Sequence, residues 1–101
     1  KTDRVSASLV KYIHNSWLAT KVVFFHSLYE NMPEGGNFEH ITDILAGFEN
    51  IGPSHMKAPN EDGELGYGGA CFPKDVTAIL KDLNHPLLSF VDKINKEWKY
   101  T

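Results

Sequence analysis

A small all-helical domain is the fold this sequence predicts. Apolar residues recur at three- and four-residue spacings in four separate segments. No segment alternates with the two-residue period of a half-buried strand, and no internal repeat is present. Pro, Gly and Asn fall between the periodic segments, where helices must stop. At 101 residues the chain is one domain's worth, read as a single unit over 1–101. Its 42% hydrophobic and 23% charged residues suit a packed core and argue against disorder.

The first helix is expected from about Asp3 to Tyr29, on Val5, Leu9, Ile13 and Trp17. Asp3 or Ser6 suits its start. Its second half, WLATKVVFFHSLY, has almost no polar face. A helix apolar on most sides is covered on most sides, so a partner subunit is expected to supply part of the cover. Pro33 and Gly35-Gly36 end it. Asn37 suits the cap of a short second helix carrying Ile41, Ile44, Leu45 and Phe48, with Gly47 near its end. From Glu49 to Gly69 the chain has no period and is rich in Gly and Pro; so long a loop is usually functional. A third helix is expected from Pro73, whose missing N–H costs nothing in a first turn. Asp75 would then sit at its positive end. Val76, Ile79, Leu80 and Leu83 form its face, and Asn84-His85-Pro86 breaks it. A last helix carries Leu87, Leu88, Val91, Ile94 and Trp98.

The formal net charge of -3, with scattered Lys and Arg, points away from nucleic acid. No apolar run is long enough to span a bilayer, and the opening KTDRVSAS has no signal-peptide layout. It also lacks an initiating Met, which suggests a piece of something longer. The single cysteine forms no internal disulfide and no four-cysteine zinc site, so a reducing, cytoplasmic setting is expected. His14, His26, His40, His55 and His85 include no HExxH pair, and no metal site is expected.

The sharpest local feature is Gly66-Tyr67-Gly68-Gly69-Ala70-Cys71-Phe72-Pro73-Lys74-Asp75. Its glycines let backbone approach a ligand closely. They lead into a cysteine at a helix start, where the dipole favours a thiolate; Lys74 adds to that field. A thiolate is a competent covalent nucleophile. The alternative is a buried, inert cysteine beside Phe72. The run is neither a dinucleotide fingerprint, since no strand precedes it, nor a phosphate loop, since GK[ST] is missing. Lys11 and Asn15 lie one turn apart on one helix face. Together they suit a substrate hydroxyl or a developing oxyanion, or else they are ordinary surface. His55, in the long loop, is the histidine best placed to meet a ligand.

GYGGACFPKD closely resembles the GFGGxCFPKD segment of the UDP-glucose/GDP-mannose dehydrogenase family. LVKYIHNSWLATK, with its lysine, three residues and then an asparagine, is similar to that family's middle-domain helix, and Asp92-Lys93-Ile94-Asn95 to the end of that domain. The resemblance takes in nearly the whole chain. It implies the central domain of an enzyme that oxidises a nucleotide sugar's primary alcohol to a carboxylate in two NAD-linked steps. NAD and the UDP-sugar would be bound by flanking domains that this chain lacks. Cys71 would attack the intermediate aldehyde to give a thiohemiacetal, then a thioester that water cleaves. Lys11 would stabilise the oxyanion, Asn15 would bind substrate or position water, and Asp75 would assist both. Tyr67, Gly68 and Gly69 would shape the substrate segment, with Lys74 in a supporting role. The first helix would form a homodimer.

Asn50 stands where many members carry an arginine, and the loop from Gly52 to Gly66 is longer than usual; both bear on the substrate and not on the covalent chemistry. Without nucleotide domains the isolated chain is expected to be inactive. The competing reading is a non-catalytic helical dimerisation module that keeps the motif.

Overall fold

The computed structural model describes residues 3–100. Four helices follow in order: α1 (Arg4–Glu30), α2 (Phe38–Ala46), α3 (Cys71–Asp82) and α4 (Pro86–Tyr100). Among the described residues no strand occurs, and no helix is long and apolar enough to cross a membrane. The all-helical expectation holds, with α1 ending within a residue of its sequence-predicted limit.

Three of the four helix starts are met by a side chain, and α3 has no side-chain cap. The Asp3 carboxylate accepts the Ser6 N–H at 2.7 Å and caps α1. Asn37 does the same for α2, accepting from the His40 N–H at 3.0 Å. His85 Nδ1 accepts the Leu88 N–H at 3.1 Å ahead of α4. One boundary differs from expectation: α3 begins at Cys71, not Pro73. Proline fits here because the first helical N–H groups have no intrahelical acceptor anyway. Cys71 thus joins the first turn, and Asp75 moves one turn inward, away from the positive end.

The core forms where α1, α3 and α4 meet. Ala19, Val22 and Val23 of α1 pack with Val76 and Ile79 of α3, Leu88 and Val91 of α4, and Tyr67 from the loop. α2 has no buried residue; its Phe38 ring meets Tyr29 of α1 edge-on, centroids 5.4 Å apart.

The long loop is not loose. Three polar side chains inside the bundle hold it. The Lys21 ammonium, buried in α1, donates to the Ile51 carbonyl at 2.6 Å. His26, also on α1, contacts the Lys57 carbonyl at 2.8 Å and accepts the Gly66 N–H at 2.8 Å. Asn95 of α4 clamps Tyr67 from both sides: its Oδ1 accepts the Tyr67 N–H at 2.8 Å and its Nδ2 donates to the Tyr67 carbonyl at 3.1 Å. Between these anchors a turn closes at Asn60–Glu64, and the Asn60 amide donates to the Gly66 carbonyl at 2.8 Å. Buried backbone polar groups must find partners, and these side chains supply them where no helix does.

Candidate active site

Cys71 opens α3 and its side chain is exposed. The buried-cysteine alternative therefore fails. Gly69, two residues before it, has φ +80°, a left-handed conformation that glycine adopts without strain.

Asp75 lies one turn further along α3 and is fully buried, at 0% exposure. Asn15 of α1 donates its amide N–H to Asp75 Oδ2 at 2.6 Å. The other carboxylate oxygen, Oδ1, is buried without a hydrogen-bond partner. Leaving such an oxygen unsatisfied costs about 1–3 kcal/mol, so this position is receptive to a donor. Asn15 Oδ1 faces His14 Nδ1 at 3.3 Å. Lys11, one turn before Asn15, is exposed, with no hydrogen bond or ion pair among the described residues.

His55 sits in the left-handed region at φ +63°, rare for a residue with a Cβ. Its ring lies 5.8 Å from that of Phe72, centroid to centroid. Partial burial lowers its pKa from the ordinary 6.5, and the positive charges of Lys21 and His14 push the same way. A neutral imidazole therefore lies against the first turn of α3 at neutral pH.

The glycine segment divides. Tyr67 lies in the core rather than on the loop surface, and burial, with Asp92 adding, raises its phenol pKa far above the ordinary 10. It shapes the segment from beneath. Gly68 is exposed and lines a shallow cavity with Val22, Asn60, Gly66 and Lys99. Gly69 and Lys74 are exposed. An open cleft lies between the end of α1, α2 and the loop, and none of the sequence-predicted site residues lines it.

Sequence reasoning missed Lys21, His26 and Asn95, which hold the loop that leads to Cys71, Asn95 through its two bonds to Tyr67. The signal was present: a lysine and a histidine inside an otherwise apolar helical run imply buried polar groups with dedicated partners.

Residues 5–97 match the model of the UDP-glucose/GDP-mannose dehydrogenase family, central domain. Curated relatives include UDP-glucose 6-dehydrogenase of Rickettsia felis, 35% identical over 95% of this chain and 22% of the relative. UDP-glucose 6-dehydrogenase YwqF of Bacillus subtilis is 35% identical over 94% of the chain and 22% of its own length. TuaD of the same organism, also a UDP-glucose 6-dehydrogenase, is 37% identical over 80% of the chain and 17% of its length. The chain thus spans less than a quarter of these relatives. No solved structure matches it. The match over residues 5–97, with four helices in the expected order and the cysteine segment leading into the third, has one conclusion: this chain belongs to the UDP-glucose/GDP-mannose dehydrogenase family, as its central domain.

Proposed function

We propose that this chain supplies the covalent part of an NAD-dependent UDP-glucose 6-dehydrogenase, the step that carries an aldehyde to a carboxylate. The observation that carries the reading is the 2.6 Å hydrogen bond from Asn15 to Asp75. It joins the helix face bearing Lys11 and Asn15 to α3, one turn from Cys71.

The chemistry asks little of the chain beyond position. The Cys71 thiol gives up its proton to solvent, its sulfur adds to the aldehyde carbon at C6 of the sugar, and the carbonyl π pair moves to oxygen. The Lys11 ammonium and the Asn15 amide stabilise that oxyanion. Once the carbon is at the thioester level, water attacks it, the C–S bond breaks and Cys71 is restored as the carboxylate leaves. Asp75 fixes the Asn15 amide and offers its unpartnered oxygen to the lysine or the water. Neutral His55 suits a contact to the sugar, as do the Gly68-Gly69 backbone and Lys74.

NAD takes up hydride in the two oxidations when bound. The described residues form no strand, and so no strand–turn–helix cradle for a dinucleotide. This chain's residues do not fit that cofactor, and both the cofactor and the UDP-sugar are assigned to other domains. The test is an exchange of residues 5–97 into a relative's dehydrogenase in place of its central domain. The chimera is expected to reduce NAD with UDP-glucose, and the isolated chain to give no turnover. Steady NAD reduction by the isolated chain would refute the division of labour.

A homodimer through α1 accompanies this reading. Val10, Ile13, Trp17, Phe24 and Leu28 are exposed and share one stripe, with Trp17 58% exposed. Sedimentation equilibrium at micromolar concentrations is expected to give a dimer, and Trp17→Glu a monomer. A monomeric parent chain would leave the stripe without this role.

A further inference from the structure

We propose that His26, in its neutral Nε2-protonated form, is a positioning residue that latches the glycine segment and so sets where Cys71 stands, and that its protonation releases the latch. The part concerning Cys71 rests on the function proposed above; the latch itself does not.

The geometry leaves one tautomer. A carbonyl oxygen only accepts, so the 2.8 Å contact from His26 Nε2 to the Lys57 carbonyl requires a proton on Nε2. A backbone N–H only donates, so the 2.8 Å contact from Gly66 N to His26 Nδ1 requires a bare Nδ1. The ring is 1% exposed, and no water replaces either bond without rearrangement. Both bonds end on the loop, one at Lys57 and one at Gly66, where the run toward Cys71 begins. An imidazolium has no lone pair on Nδ1. Protonation therefore turns the Gly66 bond into two opposed donors.

The surroundings hold the ring neutral. Burial lowers the His26 pKa from the ordinary 6.5; the Lys57 carbonyl raises it in part, and Lys99 of α4 lowers it further. Lys99 itself pairs with Glu64 of the loop at 3.4 Å, which moderates its field. Trp98 of α4 faces the ring, centroids 6.3 Å apart, and its indole N–H reaches Glu30 of α1 at 3.4 Å. Because the folded pKa lies below the unfolded value, the folded state binds fewer protons. The stabilisation is complete above the ordinary value and is lost as pH falls through the folded one.

The test reads the ring and the Gly66 amide of the intact chain by NMR. At pH 7, nitrogen correlations are expected to show protonated Nε2 and bare Nδ1. Titration downward is expected to move the Gly66 amide together with the His26 ring, below the pH at which a free histidine titrates. His26→Phe is expected to speed Gly66 amide exchange about tenfold at pH 7, and His26→Gln, which keeps a donor and an acceptor, to restore part of the protection. Should His26→Phe fail to fold, the titration of the unaltered chain decides. A Gly66 amide indifferent to the His26 proton overturns the latch. In the chimera, His26→Gln is expected to remove an acid limb from the kcat profile and leave KM for UDP-glucose unchanged. A Gly66 response without that change in the profile overturns the link to Cys71 alone. A wild-type chimera whose turnover does not need Cys71 refutes the proposed function and leaves the latch standing.

Discussion

Cys71→Ala in the chimera is expected to lower kcat for UDP-glucose oxidation by about three orders of magnitude or more, with little change in KM. The side chain is exposed, so its removal opens no cavity. Folding stability should stay within about 0.5 kcal/mol of the parent, the usual range for surface substitutions. Activity loss without stability loss separates a chemical role from a structural one. Cys71→Ser should be nearly as inactive, since a hydroxyl is a far weaker nucleophile than a thiol at neutral pH. Measuring NAD reduction alongside thermal unfolding of both variants checks this. Activity retained at a tenth of the parent level would remove Cys71 from the mechanism.

The second large effect is on stability. Gly66→Ala is expected to cost about 3 kcal/mol, from a strained backbone and a forced repacking. Gly66 has φ +93°, where a side chain is strained in any space. A Cβ there would also collide with Asn95 Oδ1 and press on the Trp98 ring at 3.2 Å. Asn95 cannot yield without losing both of its bonds to Tyr67. Gly68→Ala is the control: its φ is not positive and a Cβ meets only the end of the flexible Lys99 side chain, Nζ at 3.7 Å and Cε at 3.9 Å. It should cost less than about 0.5 kcal/mol. Urea unfolding of both variants measures the difference. Equal costs would mean the Asn95 clamp does not bind the segment as described.

That contrast shows what was legible beforehand. Helical periodicity placed all four helices, because apolar spacing and the caps at Asp3 and Asn37 are local signals. GYGGACFPKD marked the cysteine, because glycine before a helix start is also local. The first residue of α3 was misplaced because proline is tolerated anywhere among the first unpaired N–H groups. The separate duties of Gly66 and Gly68 were not legible, since they depend on Asn95 and Lys99 from a distant helix. The burial of His26 and Lys21 was legible from their place in an apolar run, but the identity of their partners was not. Their buried partners are backbone groups of the loop, and backbone groups carry no sequence signature. The face shared by Lys11 and Asn15 was readable from spacing, but its meeting with Asp75 needed the packing of α1 on α3.

The central claim is that Cys71 carries the covalent intermediate. The most direct measurement is acid quenching of the chimera during turnover with UDP-glucose and NAD, followed by mass spectrometry of its peptides. The expected result is a UDP-glucuronyl thioester on the peptide containing Cys71, absent from Cys71→Ala. Sustained turnover in Cys71→Ala, or an adduct carried by a different residue, would contradict it.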